Sequence, residues 1–194
     1  MQDTTNSQLV EELRKIDVFN KQEFKKETSL ESLASFFRSL DEKEQNLLRT
    51  MLDISSASSI RKIRRKLVYE TVDSETLKEE KLDMKQIFEM SESDFEEFVS
   101  RLNKKYPSRV LPSYYKIKDL LENFKKIGLV LSRDVKERKA ETLWYIEPKF
   151  LKIYLTIIND LERKNKDNTI TDTELSLYHM LTGSILRLIF KIKK

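Results

Sequence analysis

The sequence predicts a mainly helical protein carrying one small β-hairpin. Three observations predict this class. Only two glycines and three prolines occur in 194 residues, too few for the many tight turns of a β-sandwich. Apolar residues recur at helical spacing through most of the chain. Residues 129–146 break that spacing and read as extended, β-branched and aromatic segments around a charged turn.

Each element follows from a local signal. In residues 1–28, Leu9, Val10, Leu13 and Ile16 predict one short helix. Thr28 and Glu31 form a capping-box pattern ahead of Leu30, Leu33, Phe37 and Leu40 on one helix face. Asp41 to Glu44 starts a second helix bearing Leu47, Leu48, Met51 and Leu52. The serine run 55–59 ends it and reads as a loop or linker. Ile60, Ile63, Leu67 and Val68 stripe the next helix, whose other face is basic: Arg61, Lys62, Arg64, Arg65 and Lys66. A charged, weakly periodic stretch extends to about Asp83. A short helix over 84–90 follows. Ser91 then caps one with Phe95, Phe98, Val99 and Leu102, and a turn carries Pro107 and Pro112, which disfavour helix. Ser113 caps a further helix, with Ile117, Leu120, Leu121, Phe124 and Ile127 on its apolar face. Gly128 stands where a left-handed C-cap is expected. Residues 129–132 and 142–146 read as strands, closed by Pro148. Phe150, Leu151, Tyr154, Ile157, Ile158 and Leu161 mark another helix. Thr171 and Glu174 are a capping box for the last one, read through Leu175, Tyr178, Leu181, Ile185, Leu188 and Ile189.

Composition narrows function. Hydrophobic residues are 39% and charged residues 36% of the chain, so the core is adequate rather than generous. The absence of cysteine excludes a disulfide framework, a thiolate metal site and a cysteine nucleophile, and fits a reducing, intracellular setting. The N-terminal stretch lacks the apolar core of a signal peptide, and no stretch reaches the ~18 consecutive apolar residues of a membrane span. A cytoplasmic location without membrane attachment is therefore expected. The net charge of +4 conceals an asymmetry: residues 101–139 sum to +8 and residues 71–100 to −7. A basic block of that size suggests an element facing a polyanion; the alternative is that the two blocks pair across the fold. The Arg61–Lys66 cluster carries the same two readings.

Helix, turn, helix, then a two-stranded hairpin with a basic tip occupies residues 84–148. Residues 113–130, SYYKIKDLLENFKKIGLV, with the charged hairpin and aromatic strand that follow, resemble the winged helix-turn-helix superfamily, in flavour its archaeal and bacterial regulators. The resemblance covers about a third of the chain and implies a mainly α fold: a winged helix-turn-helix core over 58–148, a helical N-terminal segment over 1–57 and C-terminal helices over 149–194. It departs from the pattern at residues 103–112, since the usual turn is three or four residues. A rival register pairs 84–90 with 93–104, but Asp94, Glu96 and Glu97 would oppose phosphates there. The helix over 113–127 is the preferred reading helix.

The implied partner is duplex DNA. Ser113, Tyr114, Lys116 and Lys118 would enter the major groove. Arg133, Lys136, Arg138 and Lys139 on the hairpin would meet phosphates or a minor groove. The implied role is transcription regulation. The alternatives are a protein-interaction adaptor in a replication or transcription assembly, and a plasmid- or virus-encoded replication protein. The 150–161 and 175–189 stripes are wide enough to leave apolar area for a homodimer, unless both pack back on residues 1–54. Trp144 and Tyr145 are expected to pack rather than to stack on bases. His179 has no carboxylate at triad spacing and no glycine-rich phosphate loop is present. The sequence thus predicts no enzymatic activity, cofactor, metal or small-molecule ligand.

Overall fold

The computed structural model describes residues 26–72, 74–106, 111–135 and 141–183. The chain is mainly helical with a three-stranded antiparallel sheet. In order it forms α1 (Lys26–Ser39), α2 (Glu42–Ile54), β1 (Ser58–Ser59), α3 (Ile60–Thr71), α4 (Ser74–Glu79), α5 (Met84–Glu89) and α6 (Glu92–Lys105). There follow α7 (Tyr114–Lys126), β2 (Val130–Val135), β3 (Glu141–Ile146), α8 (Pro148–Lys166) and α9 (Asp172–Thr182).

Local chemistry sets most of these boundaries. Asp41 and Glu44 close a reciprocal capping box at the start of α2, and Thr171 and Glu174 do the same for α9. Ser91 and Ser113 cap α6 and α7 by accepting the backbone N–H three residues on. Each such cap satisfies a donor that the helix geometry leaves without a partner. Asp83 and Gln86 form a further box ahead of α5. Two expectations fail at helix ends. Helix α1 covers Lys26–Ser39, so Thr28 lies within it rather than ahead of it. Helix α9 stops at Thr182, where Gly183 adopts φ 66°, a left-handed C-cap; the apolar stripe did not register this stop. The helix expected around Leu9 to Ile16 lies outside the described residues.

The serine run is more than a loop. Ser55 turns the chain with φ 49°, and Ser58–Ser59 then pair with Trp144 and Leu143 of β3. The sheet order is β1-β3-β2, with Val130 opposite Ile146 and Ser132 opposite Trp144.

One apolar cluster runs from Leu33 to Leu181 and draws on residues before 58 and after 148 as well as between them. Phe36 meets Phe150 edge-on at 5.6 Å and Phe37 stacks on Tyr154 at 6.4 Å. A second, smaller cluster joins Val68 to Leu77, Ile87, Phe95, Phe98, Val99, Leu102 and Leu111. Helix α3 serves both, so α4–α6 form a helical lobe inserted between α3 and α7. This corrects the expected pairing. The apolar face of α6 lies in the lobe, while α7 packs against α3 and β2. The rival pair α5–α6 likewise belongs to the lobe.

The stripes expected to leave room for a second copy are largely consumed within the chain. Phe150, Tyr154, Ile157 and Leu161 are buried against α1 and α9, and Tyr178 packs on the same cluster. Leu175 is half-buried; Ile185 and Leu188 lie outside the described residues.

Candidate nucleic-acid interface

Helix α7 is fixed by three sets of contacts. Its apolar face, Ile117, Leu120, Leu121 and Phe124, is buried in the main cluster beside Ile63 and Leu67 of α3. Its start is tied down by Arg64, whose Nε donates to the Pro112 carbonyl at 3.0 Å. Its end is closed by Gly128 at φ 81° and by the Leu129 N–H donating to the Phe124 carbonyl at 3.0 Å. The left-handed conformation costs a residue with a Cβ ~1–2 kcal/mol, which glycine avoids.

What α7 leaves to solvent is mixed in charge. Tyr115 is 77% exposed, and Lys116, Lys118, Asp119, Lys125 and Lys126 are exposed. At 100° per residue, Tyr115, Asp119, Glu122 and Lys126 lie opposite the buried stripe, with Lys118 and Lys125 on one flank and Lys116 on the other. Lys125 donates to the Ser132 hydroxyl at 2.8 Å and stands 5.8 Å from the centre of the Trp144 ring.

Among the residues singled out from sequence, Lys116 and Lys118 are free in the sense a groove contact needs, although Lys116 lies within electrostatic reach of Glu44. Ser113 is exposed, but its hydroxyl is engaged as the α7 cap. Tyr114 is half-buried on the main cluster and meets the Tyr115 ring edge-on at 5.7 Å. The exposed aromatic is therefore Tyr115, which a helical projection from the Ile117–Phe124 stripe would have found. Arg133 is exposed on β2, but it pairs in register with Leu143 and lines a cleft with Tyr145. Strand alternation puts it on the sheet face opposite Ser132 and Trp144, so it does not extend the surface of α7. Lys136, Arg138 and Lys139 lie outside the described residues.

The Arg61–Lys66 cluster is mostly spent on internal pairing. Arg64 is 2% exposed and holds both carboxylate oxygens of Glu96. Arg65 donates to the carbonyls of Ile87 and Phe88 at 3.0 and 2.8 Å and to Glu92 at 3.3 Å. Both guanidinium groups stand over the Phe95 ring, at 5.1 and 5.0 Å. Lys66 pairs with Asp53 and Glu70. The Arg64 hydrogen bonds hold the Glu96 carboxyl below its ordinary pKa, outweighing the opposing effect of partial burial. Here Arg61, Arg64 and Arg65 pair with Glu92 and Glu96 of the acidic 71–100 block, fastening the lobe to α3. Trp144 is buried, as expected; its indole N–H and the Ser58 hydroxyl have no hydrogen-bond partner among the described residues.

His179 is half-buried near the end of α9, 5.8 Å from the Tyr178 ring. Among the described residues no group of three or more His, Asp or Glu side chains could hold a metal ion, and no helix is long and apolar enough to cross a membrane. The chain matches no protein-family model, no curated protein and no solved structure.

Proposed function

We propose that the chain is a winged helix-turn-helix protein that binds duplex DNA through α7, and that it acts in transcription regulation. In this reading α2, α3 and α7 are the three helices of the motif. Strand β1 is the short strand between the first two, β2–β3 is the wing, and α4–α6 are an insertion in the turn. The observation that carries the reading is the β1-β3-β2 sheet beside packed α2, α3 and α7, with α7 presenting Tyr115, Lys116 and Lys118 to solvent. Lysines at the start of such a helix reach phosphates, and an exposed ring can contact a base edge or a thymine methyl. The hairpin residues Lys136, Arg138 and Lys139 add charge that suits the phosphate backbone.

One observation favours a second reading, a protein-interaction adaptor. Asp119 and Glu122 sit on the outward side of α7, and Arg64 holds Glu96 beside Pro112 at the helix start. Carboxylates at these places oppose a phosphate backbone and suit a basic protein surface.

Fluorescence anisotropy with random and selected duplexes separates the two. A DNA-binding chain loses affinity by ~0.9 log units per log unit of salt for each phosphate neutralised. No duplex binding at low salt, or binding indifferent to salt, overturns the DNA reading in favour of the adaptor.

A further inference from the structure

An open cleft of about 1120 Å³ lies between the outer face of β2–β3, the turn at 55–57 and α8. Helix α8 has two faces. Ile153, Tyr154, Ile157 and Ile158 are buried in the main cluster. Pro148, Leu151, Lys152, Leu155, Thr156 and Asn159 follow a second helical stripe and line the cleft instead. Leu155 is 41% exposed there. The sheet side of the cleft carries Leu143 and Tyr145 of β3, both half-buried. We infer that this cleft binds a small amphipathic carboxylate, an acyl chain or similar elongated apolar body with one anionic head.

The register of the sheet decides the sign of that head. Arg133 stands opposite Leu143, so the two side chains share the cleft face. Asp134 also borders the cleft, but strand alternation turns its side chain to the other face. Its Oδ1 accepts the hydroxyl of Thr142, its register partner, at 2.7 Å. Glu141 is opposite Val135 on the cleft face but lies beyond the lining residues. The charged side chains on the cleft side are therefore Arg133 and Lys152. Both are exposed, and neither side chain has a hydrogen bond or ion pair among the described residues. Two cations beside an apolar floor, with no counter-charge of their own, complement an anion. The guanidinium offers paired donors that fit a carboxylate.

The floor decides the rest of the ligand. A bare anion would leave Leu143, Tyr145, Leu151 and Leu155 in water, whereas an apolar body gains by covering them. A mostly apolar lining with a few placed polar groups is the usual make-up of a small-ligand site. The α8 wall runs eleven residues from Pro148 to Asn159, ~16 Å of helix, which suits an elongated ligand. Arg133 does not extend the surface of α7, so the site is separate from the proposed DNA contact and stands or falls without it.

Dodecanoate, kept below its micellar concentration, is titrated into the full chain, with dodecanol and dodecyltrimethylammonium as neutral and cationic probes of equal length. Calorimetry gives the affinities and amide NMR the location. The amides of Leu143, Tyr145 and Leu155 should shift with dodecanoate while those of α6 stay in place. Dodecanoate should bind most tightly and dodecyltrimethylammonium least. Arg133→Gln and Lys152→Gln should each weaken dodecanoate about fivefold, the upper value for an ion pair in contact with water, and leave dodecanol unchanged. Leu155→Asn should weaken both. Arg133→Glu with Lys152→Glu should reverse the order of the charged probes. No shift at the cleft overturns the proposal. So does equal binding of all three probes, or dodecanoate binding indifferent to both charge changes, since either leaves only apolar adhesion. Acetate binding as tightly as dodecanoate overturns it too, because the apolar floor would then play no part.

Discussion

Replacing Glu96 by alanine isolates the fastening between the α4–α6 lobe and the rest of the chain. Arg64 is 2% exposed and has three hydrogen bonds: one to the Pro112 carbonyl at 3.0 Å and two to Glu96, one of them at 2.9 Å. Glu96→Ala removes two and leaves a buried cation without its counter-ion. Breaking a fully buried pair costs ~3–5 kcal/mol, and an unmade hydrogen bond to a charged group ~1–3 kcal/mol. The Glu96 side chain is 52% exposed, so water reaches the vacated site and the lower range applies. A loss of about 2 kcal/mol is expected, a fall in Tm of ~4–8 °C for a chain of this size. Urea unfolding followed by far-UV circular dichroism and by Trp144 emission measures it. The pH dependence checks the cause. The Glu96 pKa is depressed when folded, so its contribution is complete above the ordinary glutamate value of ~4.3 and is lost as pH falls through the lower folded value. The gap between wild type and variant should therefore close as the solution is acidified below about pH 4. A difference under ~0.5 kcal/mol at pH 7, the range of ordinary surface changes, would refute the reasoning, as would a gap that stays constant into acid.

Three further outcomes are expected. Gly128→Ala meets open space at φ 81° and should lose only the left-handed penalty of ~1–2 kcal/mol, whereas Gly183→Ala must also displace the Arg49 side chain at 3.2 Å and should lose more; equal losses in urea unfolding would contradict this. Burial raises the Tyr154 pKa to about 12 and raises that of Tyr178 as well, so in an ultraviolet titration Tyr154 should be among the late-ionising of the seven tyrosines. Because the unfolded chain gives up that proton first, near pH ~10, stability should fall as pH rises from there towards the folded value. In duplex binding, Lys118→Ala should weaken all sequences alike, while Tyr115→Ala should also alter preference among sites, a base contact being worth ~1–3 kcal/mol; Tyr114→Phe, changing a half-buried ring on the core, should alter neither, and a Tyr115→Ala loss equal on specific and random duplexes removes it as a reader.

What the sequence determined by itself was local. A 3.6-residue apolar period and a side-chain acceptor three residues ahead of a backbone donor are properties of a few neighbouring residues. Hence the caps at Asp41, Ser91, Ser113 and Thr171, the buried stripes of α2, α7 and α8, and the turn at Gly128 could be read directly. Lys116 and Lys118 were legible for the same reason, since exposure on a helix follows from its period. Tertiary structure decided whatever depends on partners distant in the chain. Strand β1 is two serines with no strand pattern, and exists because Ser58 and Ser59 meet Trp144 and Leu143 far along the chain. Arg64 and Arg65 read as a surface cluster until Phe95, Glu96 and Glu92 cover them. The side of the sheet on which Arg133 stands was fixed by the register of β2 against β3. Which helix supports α7 could not be read from order along the chain, because the α4–α6 lobe, with its own apolar cluster, interrupts the path from α3. A buried face states that it needs a partner; only the packed chain states which one.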